Sequence, residues 1–120
     1  FYPLAFSSVC TEELCSIRDN MKIYNSLEAE VIAISVDSLF VQKAFKQSQN
    51  LNFELLSDFN KEVSKAYDCI YENYFGMNGV SKRSAFVIDK KGIVRYQEIH
   101  DKDDVIPDFN AIQRVLAELS

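Results

Sequence analysis

"FYPLAFSSVCTEELC", residues 1–15, is the stretch that decides the fold, because its pattern changes from strand-like to helix-like at a cysteine. An apolar run containing Pro3 stops at Cys10, and apolar residues then recur every three or four positions, as on one face of an amphipathic helix. That apolar stripe consists of Leu14, Ile17, Met21 and Tyr24. We therefore predict the end of a strand, a loop, and one helix over residues 10–27 with Cys10 in its first turn.

The rest of the chain alternates between strand and helix patterns. The predicted strands are "EVIAISVD", "FELLSD", and the pair "SAFVID" and "IVRYQEI", which flank Gly92 and form a β-hairpin. Such alternation predicts an α/β sandwich, with a central mixed sheet flanked by helices. We find no linker or repeat, and expect one domain over residues 1–120.

Three further helices separate or follow these strands. The second starts at the N-cap Ser38, with Phe40, Val41, Ala44 and Phe45 sharing a face. A third is predicted over "DFNKEVSKAYD" from the spacing of Phe59, Val63 and Tyr67. The last is "DFNAIQRVLAELS", with Ile112, Val115, Leu116 and Leu119 directed inward.

Composition narrows the classes of function. The formal net charge of −5, from 13 Lys and Arg against 18 Asp and Glu, argues against a nucleic-acid partner. The apolar runs are too short for a membrane span, and no signal-peptide pattern begins the sequence. Three cysteines do not suit a framework of paired disulfides, so we expect a reducing compartment, by default the cytoplasm.

Cys10 is the candidate reactive group. A free cysteine is commonly a small buried apolar residue, but three features here favour a reactive thiolate. The start of a helix stabilises a thiolate relative to the thiol through its unpaired N–H groups and dipole. Ser7 can donate a hydrogen bond near the sulfur, and Pro3 stiffens the chain that leads to it.

The pattern "PLAFSSVC" followed by "TEE" resembles the active-site loop of the peroxiredoxins, the alkyl hydroperoxide reductase C and thiol-specific antioxidant superfamily. Pro3, Ser7, Cys10 and Glu13 match that loop in order and spacing. "KRSAFVIDKKGIVRY" resembles the later strand and hairpin of the family, in which Arg83 matches the arginine before the strand. The similarity extends over essentially the whole of residues 1–120 and is greatest to the bacterioferritin-comigratory and one-cysteine-like branches.

This resemblance implies a thioredoxin-like fold and a thiol-dependent peroxidase that needs no metal, haem or other cofactor. Cys10 would be the peroxidatic nucleophile, attacking a hydroperoxide and becoming a sulfenic acid. Arg83 would stabilise the developing charge, with Glu13 orienting it, while Ser7 orients the peroxide and Pro3 shields the sulfur. The implied partners are a hydroperoxide substrate and a thiol reductant such as thioredoxin or a small thiol, and a homodimer is a candidate assembly.

Two features depart from the family pattern. Ser7 stands where most members have threonine, so the hydroxyl is kept without the methyl group that restricts its rotamer. The sequence also begins inside the strand that leads to the active-site loop. We therefore expect the N-terminal strands of the family to be absent from this chain and the domain to be N-terminally incomplete.

Cys15 is a candidate resolving cysteine, because the same spacing of the two cysteines occurs in the bacterioferritin-comigratory type. The alternative is a packed, inert thiol. Two cysteines at this spacing also suit a zinc pair, but Cys69 and the sole histidine, His100, are distant in sequence and lack paired spacing.

The remaining candidates have simpler interpretations. We expect Cys69 to pack in the core, and His100 and the run "DKDD" to be solvated. Arg18, Asp19 and Arg95 are expected to be surface or ion-pair residues.

Two alternative functions stay open at this point. A thioredoxin-like disulfide reductase would need a C-x-x-C pair, whereas the spacing here is C-x-x-x-x-C. A redox-sensing or chaperone-like binding domain would have no use for Pro3, Ser7, Glu13 and Arg83 around one thiol.

Overall fold

Helices and strands alternate along the computed structural model, which describes residues 1–119. The strands are β1 (Ile32–Ser35), β2 (Glu54–Ser57), β3 (Ile70–Tyr71), β4 (Val80–Ser81), β5 (Ser84–Ile88) and β6 (Val94–Ile99). The helices are α1 (Ser8–Asp19), α2 (Met21–Ser26), α3 (Leu39–Ser48), α4 (Glu62–Ala66) and α5 (Phe109–Leu119). Ser120, the last residue of the predicted domain and of its final helix, lies outside the described residues.

The strands form parallel and antiparallel pairs, as the predicted mixed sheet requires. β1 pairs in parallel with β2, and β5 pairs antiparallel with β6 through the hairpin at Gly92, whose φ of 81° is one that glycine adopts readily. Residues 1 and 2 connect the two pairs: Tyr2 N donates to Ile34 O over 3.0 Å, and Ser84 N donates to Phe1 O over 3.1 Å. The chain segment that leads to Cys10 is thereby fixed between β1 and β5.

The core consists of two clusters, and Ile17 of α1, Met21 of α2 and Val31 pack against both. One cluster surrounds Cys10 and is formed by Tyr2, Leu14, Ala33, Phe45, Leu51 and Phe53. The other joins Tyr24, Val87 and Ile112, with Val115 and Leu116 packed against them. Ile112 of α5 faces inward as predicted, whereas Leu119 is 40% exposed.

The single helix predicted over residues 10–27 is wrong in extent. α1 already begins at Ser8, and α1 and α2 are separated at Asn20, whose side-chain Nδ2 donates to Ser16 O over 2.8 Å. An asparagine that bonds the backbone in this way competes with the regular helical ladder. The third predicted helix is likewise shortened to α4, because Lys61 has a left-handed φ of 66° and Phe59 is exposed before the helix begins.

The second predicted helix is present as α3, and the Ser38 Oγ accepts from Val41 N over 3.2 Å as an N-cap. Of the four apolar residues predicted to share a face, only Phe45 is buried. Phe40 is 75% exposed, and Gln42 is buried instead. Gln42 Nε2 donates to Leu56 O over 2.7 Å. A polar side chain is needed at this position because the helix covers the ends of β1 and β2, where backbone carbonyls require donors.

An apolar groove of about 610 Å³ lies between β1 and β5, where residues 1 and 2 form part of its wall. Its walls include Ala33, Val87, Ile112 and Glu13, but neither Cys10 nor Arg83. Within residues 1–119, no helix is both long and apolar enough to cross a membrane.

Candidate active site

Cys10 lies in the first turn of α1, as the sequence predicts. The helix begins at Ser8 after an extended Ser7, and Thr11 N donates to Ser7 O over 2.9 Å. The N–H groups of Ser8, Val9 and Cys10 therefore precede the helical hydrogen-bond ladder. The thiol is fully buried at this positive end of the helix dipole.

Arg83 brings the predicted residues of two distant segments together. Its Nη1 donates to Cys10 Sγ over 3.3 Å and to Glu13 Oε1 over 2.6 Å. Cys10 and Glu13 are neighbours on α1 because they are three positions apart. Since Arg83 is 1% exposed and Glu13 is 5% exposed, the cation, the carboxylate and the thiol form one buried cluster.

Burial and neighbouring charges shift the pKa values of this cluster in opposite directions. Burial raises the pKa of the Glu13 carboxyl above its ordinary value, although Arg83 favours the carboxylate. For Arg83, burial lowers the pKa, but Glu13 and Cys10 outweigh burial, so the pKa is raised and the guanidinium stays charged. A fixed cation beside a sulfur can stabilise negative charge there and on an oxygen bound next to it.

The other side of Arg83 is held by Asp103, which lies in the run "DKDD", residues 101–104, for which the sequence predicts a solvated turn. That prediction is wrong for Asp103, whose backbone oxygen accepts from Arg83 Nε over 3.2 Å and from Nη2 over 2.7 Å. Asp103 Oδ2 in turn accepts from Tyr74 OH over 2.8 Å. No sequence pattern signals this contact, because a backbone carbonyl can be supplied by any residue type.

Pro3 and Ser7 form the loop in front of α1. Pro3 is fully buried, and Ser7 Oγ donates to Leu4 O over 2.9 Å. The Ser7 hydroxyl is therefore bonded within the loop in this structure. Thr11 Oγ1 donates to Ser7 O over 2.8 Å and ties the loop to the helix.

The other cysteines are separate from this cluster. Cys15 is half-buried, with its Sγ 3.5 Å from Gln49 Oε1, while Cys69 is fully buried in the core as predicted. Burial raises the pKa of the Cys69 thiol. All three cysteines are free, and no group of three or more potential metal ligands is found among the residues that the structure describes.

Several charged residues outside the site have local partners. Arg18 pairs with Asp19 over 2.9 Å, and Arg95 pairs with Asp89 over 2.7 Å, in agreement with the surface ion pairs expected for both arginines. The expectation of a solvated His100 is wrong, because its Nε2 lies 2.6 Å from Glu98 Oε2 and its backbone N–H donates to Arg83 O.

Comparison with known proteins places this geometry in a family context. The model of the AhpC/TSA family matches residues 1–97. A putative peroxiredoxin of Synechocystis is 35% identical over 108 residues, covering 84% of this chain and 52% of the relative. A chloroplastic 2-cysteine peroxiredoxin of Chattonella marina is 33% identical, covering 94% of this chain and 62% of the relative. The chain thus spans roughly half to three fifths of the length of these curated relatives.

Solved structures show the same fold. The crystal structure of the peroxidoxin BcpB from Mycobacterium tuberculosis has a TM-score of 0.87 and 26% identity, and covers 100% of this chain and 77% of that chain. The reduced 2-Cys peroxiredoxin of Plasmodium vivax has a TM-score of 0.86 and 28% identity, and covers 97% of this chain and 61% of that chain. These similarities confirm the predicted thioredoxin-like α/β fold.

Proposed function

The chain belongs to the AhpC/TSA family of peroxiredoxins, and we propose on this basis that it is a thiol-dependent peroxidase. Its substrates are hydrogen peroxide and organic hydroperoxides, and its reaction proceeds through a sulfenic acid at Cys10. The observation that carries this proposal is the single Arg83 nitrogen shared by Cys10 Sγ at 3.3 Å and Glu13 Oε1 at 2.6 Å.

The first step is attack of the Cys10 thiolate on one oxygen of the O–O bond. A sulfur–oxygen bond forms, the O–O bond breaks, and sulfur is oxidised to a sulfenic acid. The second oxygen leaves with the electron pair and takes up a proton, giving water from hydrogen peroxide or an alcohol from an organic hydroperoxide. Arg83 stabilises the negative charge that shifts from the sulfur to the leaving oxygen.

The residues around Cys10 have distinct proposed roles. Glu13 orients Arg83 through its short hydrogen bond. Ser7 hydrogen-bonds the peroxide once its hydroxyl turns away from the Leu4 carbonyl. Pro3, fully buried in front of the helix, shields the sulfur from water.

The cycle closes when a thiol attacks the sulfenic acid. A disulfide forms and water leaves. A second thiol then attacks this disulfide and releases Cys10 by exchange, and one more thiol equivalent completes the reduction where Cys15 formed the first disulfide. Cys15 or an external thiol supplies the first of these thiols, and a thioredoxin-type reductant or a small thiol supplies the second. One relative, from Mus musculus, is named a mitochondrial thioredoxin-dependent peroxide reductase and is 32% identical over 108 residues.

The assembly and the cellular location of the protein are also proposals. We keep a homodimer and the cytoplasm as proposals, the latter because three free thiols suit a reducing compartment. The names of individual relatives place those proteins in chloroplasts and mitochondria. The comparisons give no support to the disulfide reductase or the binding domain.

Single-turnover peroxide consumption, followed by intact mass, tests the proposal. One equivalent of peroxide should add one oxygen atom to the reduced wild type, or form a disulfide with loss of two hydrogens. Cys10→Ser should show neither change, because a hydroxyl is a poor nucleophile at neutral pH. Cys69→Ser is the matched control and should react as the wild type does. Normal turnover in Cys10→Ser together with its loss in Cys69→Ser would overturn the assignment.

A further inference from the structure

Asp37 connects the sheet to the loop in front of Cys10. It lies two residues after the end of β1, and its Oδ2 accepts from Ala5 N over 2.7 Å. The same oxygen accepts from Ser35 Oγ, also over 2.7 Å. Ala5 lies between Pro3 and Ser7, so a carboxylate at the end of β1 holds the middle of the loop.

The Asp37 carboxylate is connected to α3 through Ser35, and the Asp37 backbone oxygen is connected to β2. Gln42 Nε2 of α3 donates to Ser35 Oγ over 3.0 Å and to Leu56 O of β2 over 2.7 Å. Ser57 Oγ donates to Asp37 O over 2.6 Å. Ser35 and Gln42 are buried, so this chain of hydrogen bonds has little competition from water.

The loop needs such an anchor because its backbone is unfavourable. Phe6 has a φ of 68°, in the left-handed region that residues with a Cβ atom rarely adopt. A conformation of this kind persists only where the surroundings hold it. Tyr2 is bonded to β1 on one side and Ser7 precedes α1 on the other, and the Ala5–Asp37 bond lies between them.

We propose that Asp37 is a positioning residue of the peroxide site. By accepting the Ala5 N–H, its carboxylate sets the position of Pro3 and Ser7 relative to the Cys10 sulfur. It does not touch the sulfur or Arg83, so it acts on the orientation of the peroxide and leaves the thiol environment unchanged. This inference rests on the proposed peroxidase function.

The test compares two reactions of the same thiol in Asp37→Ala. Oxidation of Cys10 by hydrogen peroxide, followed by stopped flow, should slow about 10- to 100-fold, since displacement of a positioning group by about 1 Å costs rates of this order. Alkylation of Cys10 by iodoacetamide at the same pH should be unchanged, because Arg83, Glu13 and the helix start are intact. Amide exchange at Ala5 should become faster than in the wild type.

Two further variants separate loss of the Asp37–Ala5 hydrogen bond from loss of folding stability. Asp37→Asn keeps a carbonyl oxygen for Ala5 N and Ser35 Oγ and should oxidise nearly as fast as the wild type. Asp37→Glu displaces the carboxylate by one methylene and should oxidise slowly, which provides the test if Asp37→Ala does not fold. Asp89→Ala is the matched control: this carboxylate accepts from Lys91 N and Ile93 N in the hairpin, each over 2.9 Å, and both rates should stay at wild-type values.

The outcomes distinguish this inference from the function on which it rests. A wild type that peroxide does not oxidise at Cys10 overturns the peroxidase proposal and this inference with it. A reactive wild type with equal oxidation rates in folded Asp37→Ala or Asp37→Glu overturns the role of Asp37 alone. Equal losses of oxidation and alkylation overturn it as well, because they would show a change at the thiol.

Discussion

Arg83 and Cys10 are 73 positions apart in the sequence, yet Nη1 of Arg83 lies 3.3 Å from Cys10 Sγ inside the protein. The pairing of Phe1 with Ser84 produces this proximity, because it aligns the residue before β5 with the segment that leads into α1. Arg83 is then fixed from behind by the Asp103 carbonyl. The cation is therefore positioned before any substrate binds, which is the arrangement that stabilises developing charge most effectively.

Replacing Arg83 should slow the attack of Cys10 on peroxide in protein that still folds. Arg83→Met is expected to lower the rate of Cys10 oxidation by about 10²–10³-fold, the usual cost of removing one preorganised donor. The oxidation rate of Arg83→Lys should lie between those of the wild type and Arg83→Met, because an ammonium keeps the charge but lacks the planar fork that binds the Asp103 carbonyl. Stopped-flow oxidation of protein shown to be folded by circular dichroism measures the effect.

Arg95→Met is the matched control for Arg83, since Arg95 forms a surface pair with Asp89 on the hairpin, away from Cys10. Its oxidation rate should equal that of the wild type. Equal rates in Arg83→Met and Arg95→Met would remove Arg83 from the site.

Glu13 should make the stability of the protein depend on pH in a definite direction. Burial raises the folded-state pKa of Glu13 above the ordinary value of 4.5. Its contribution to stability is therefore full below that value and is lost as pH rises through the folded pKa. Glu13→Gln lacks this dependence, so its free energy of unfolding relative to the wild type should increase as pH rises from 4.5.

Urea unfolding of both proteins across that range measures the difference. Glu12→Gln, at an exposed position of α1, serves as the control and should follow the wild type. A relative stability of Glu13→Gln that falls with rising pH would contradict a raised pKa at Glu13. Peroxide reactivity of Glu13→Gln should fall at pH values above the folded pKa of Glu13, because the amide oxygen still accepts from Arg83 but lacks the negative charge that strengthens this hydrogen bond.

Local rules control only part of the site, and that part is predictable from sequence. Cys10 at a helix start and Gly92 in the hairpin follow from spacing and turn chemistry, and Arg83 follows from the family resemblance. Asp103 could not be predicted, because it acts through a backbone carbonyl brought close by tertiary folding. The exposure of Phe40 shows the same limit, since which face of α3 lies against the sheet depends on the donors that Gln42 must supply to strand carbonyls.

Ser7 should contribute through its hydroxyl and not through its bulk. Ser7→Ala removes the hydroxyl that donates to the Leu4 carbonyl and, in the proposed reaction, to the peroxide, and should slow oxidation by about tenfold, as expected for one lost hydrogen bond. Ser7→Thr introduces the residue that most family members have and restricts the rotamer of the hydroxyl, so its oxidation rate should equal or exceed that of the wild type. Rates in Ser7→Ala equal to those of Ser7→Thr would exclude a role for the hydroxyl.

Cys15 can act as a resolving cysteine only if the first turns of α1 unwind. Cys10 and Cys15 lie on one continuous helix, in which five residues rise about 7.5 Å, whereas a disulfide needs Cα atoms within roughly 4.4–6.8 Å. A Cys10–Cys15 bridge therefore requires the first turns of α1 to unwind and Cys15 to leave Gln49. If Cys15 resolves the sulfenic acid, one equivalent of peroxide gives this bridge in the wild type with a loss of helical circular dichroism, and Cys15→Ser retains both the helix and a sulfenic acid that can be trapped at Cys10. Peptide mapping decides between the two roles: a sulfenic acid that persists in the wild type would make Cys15 a structural residue and require an external thiol to complete the cycle.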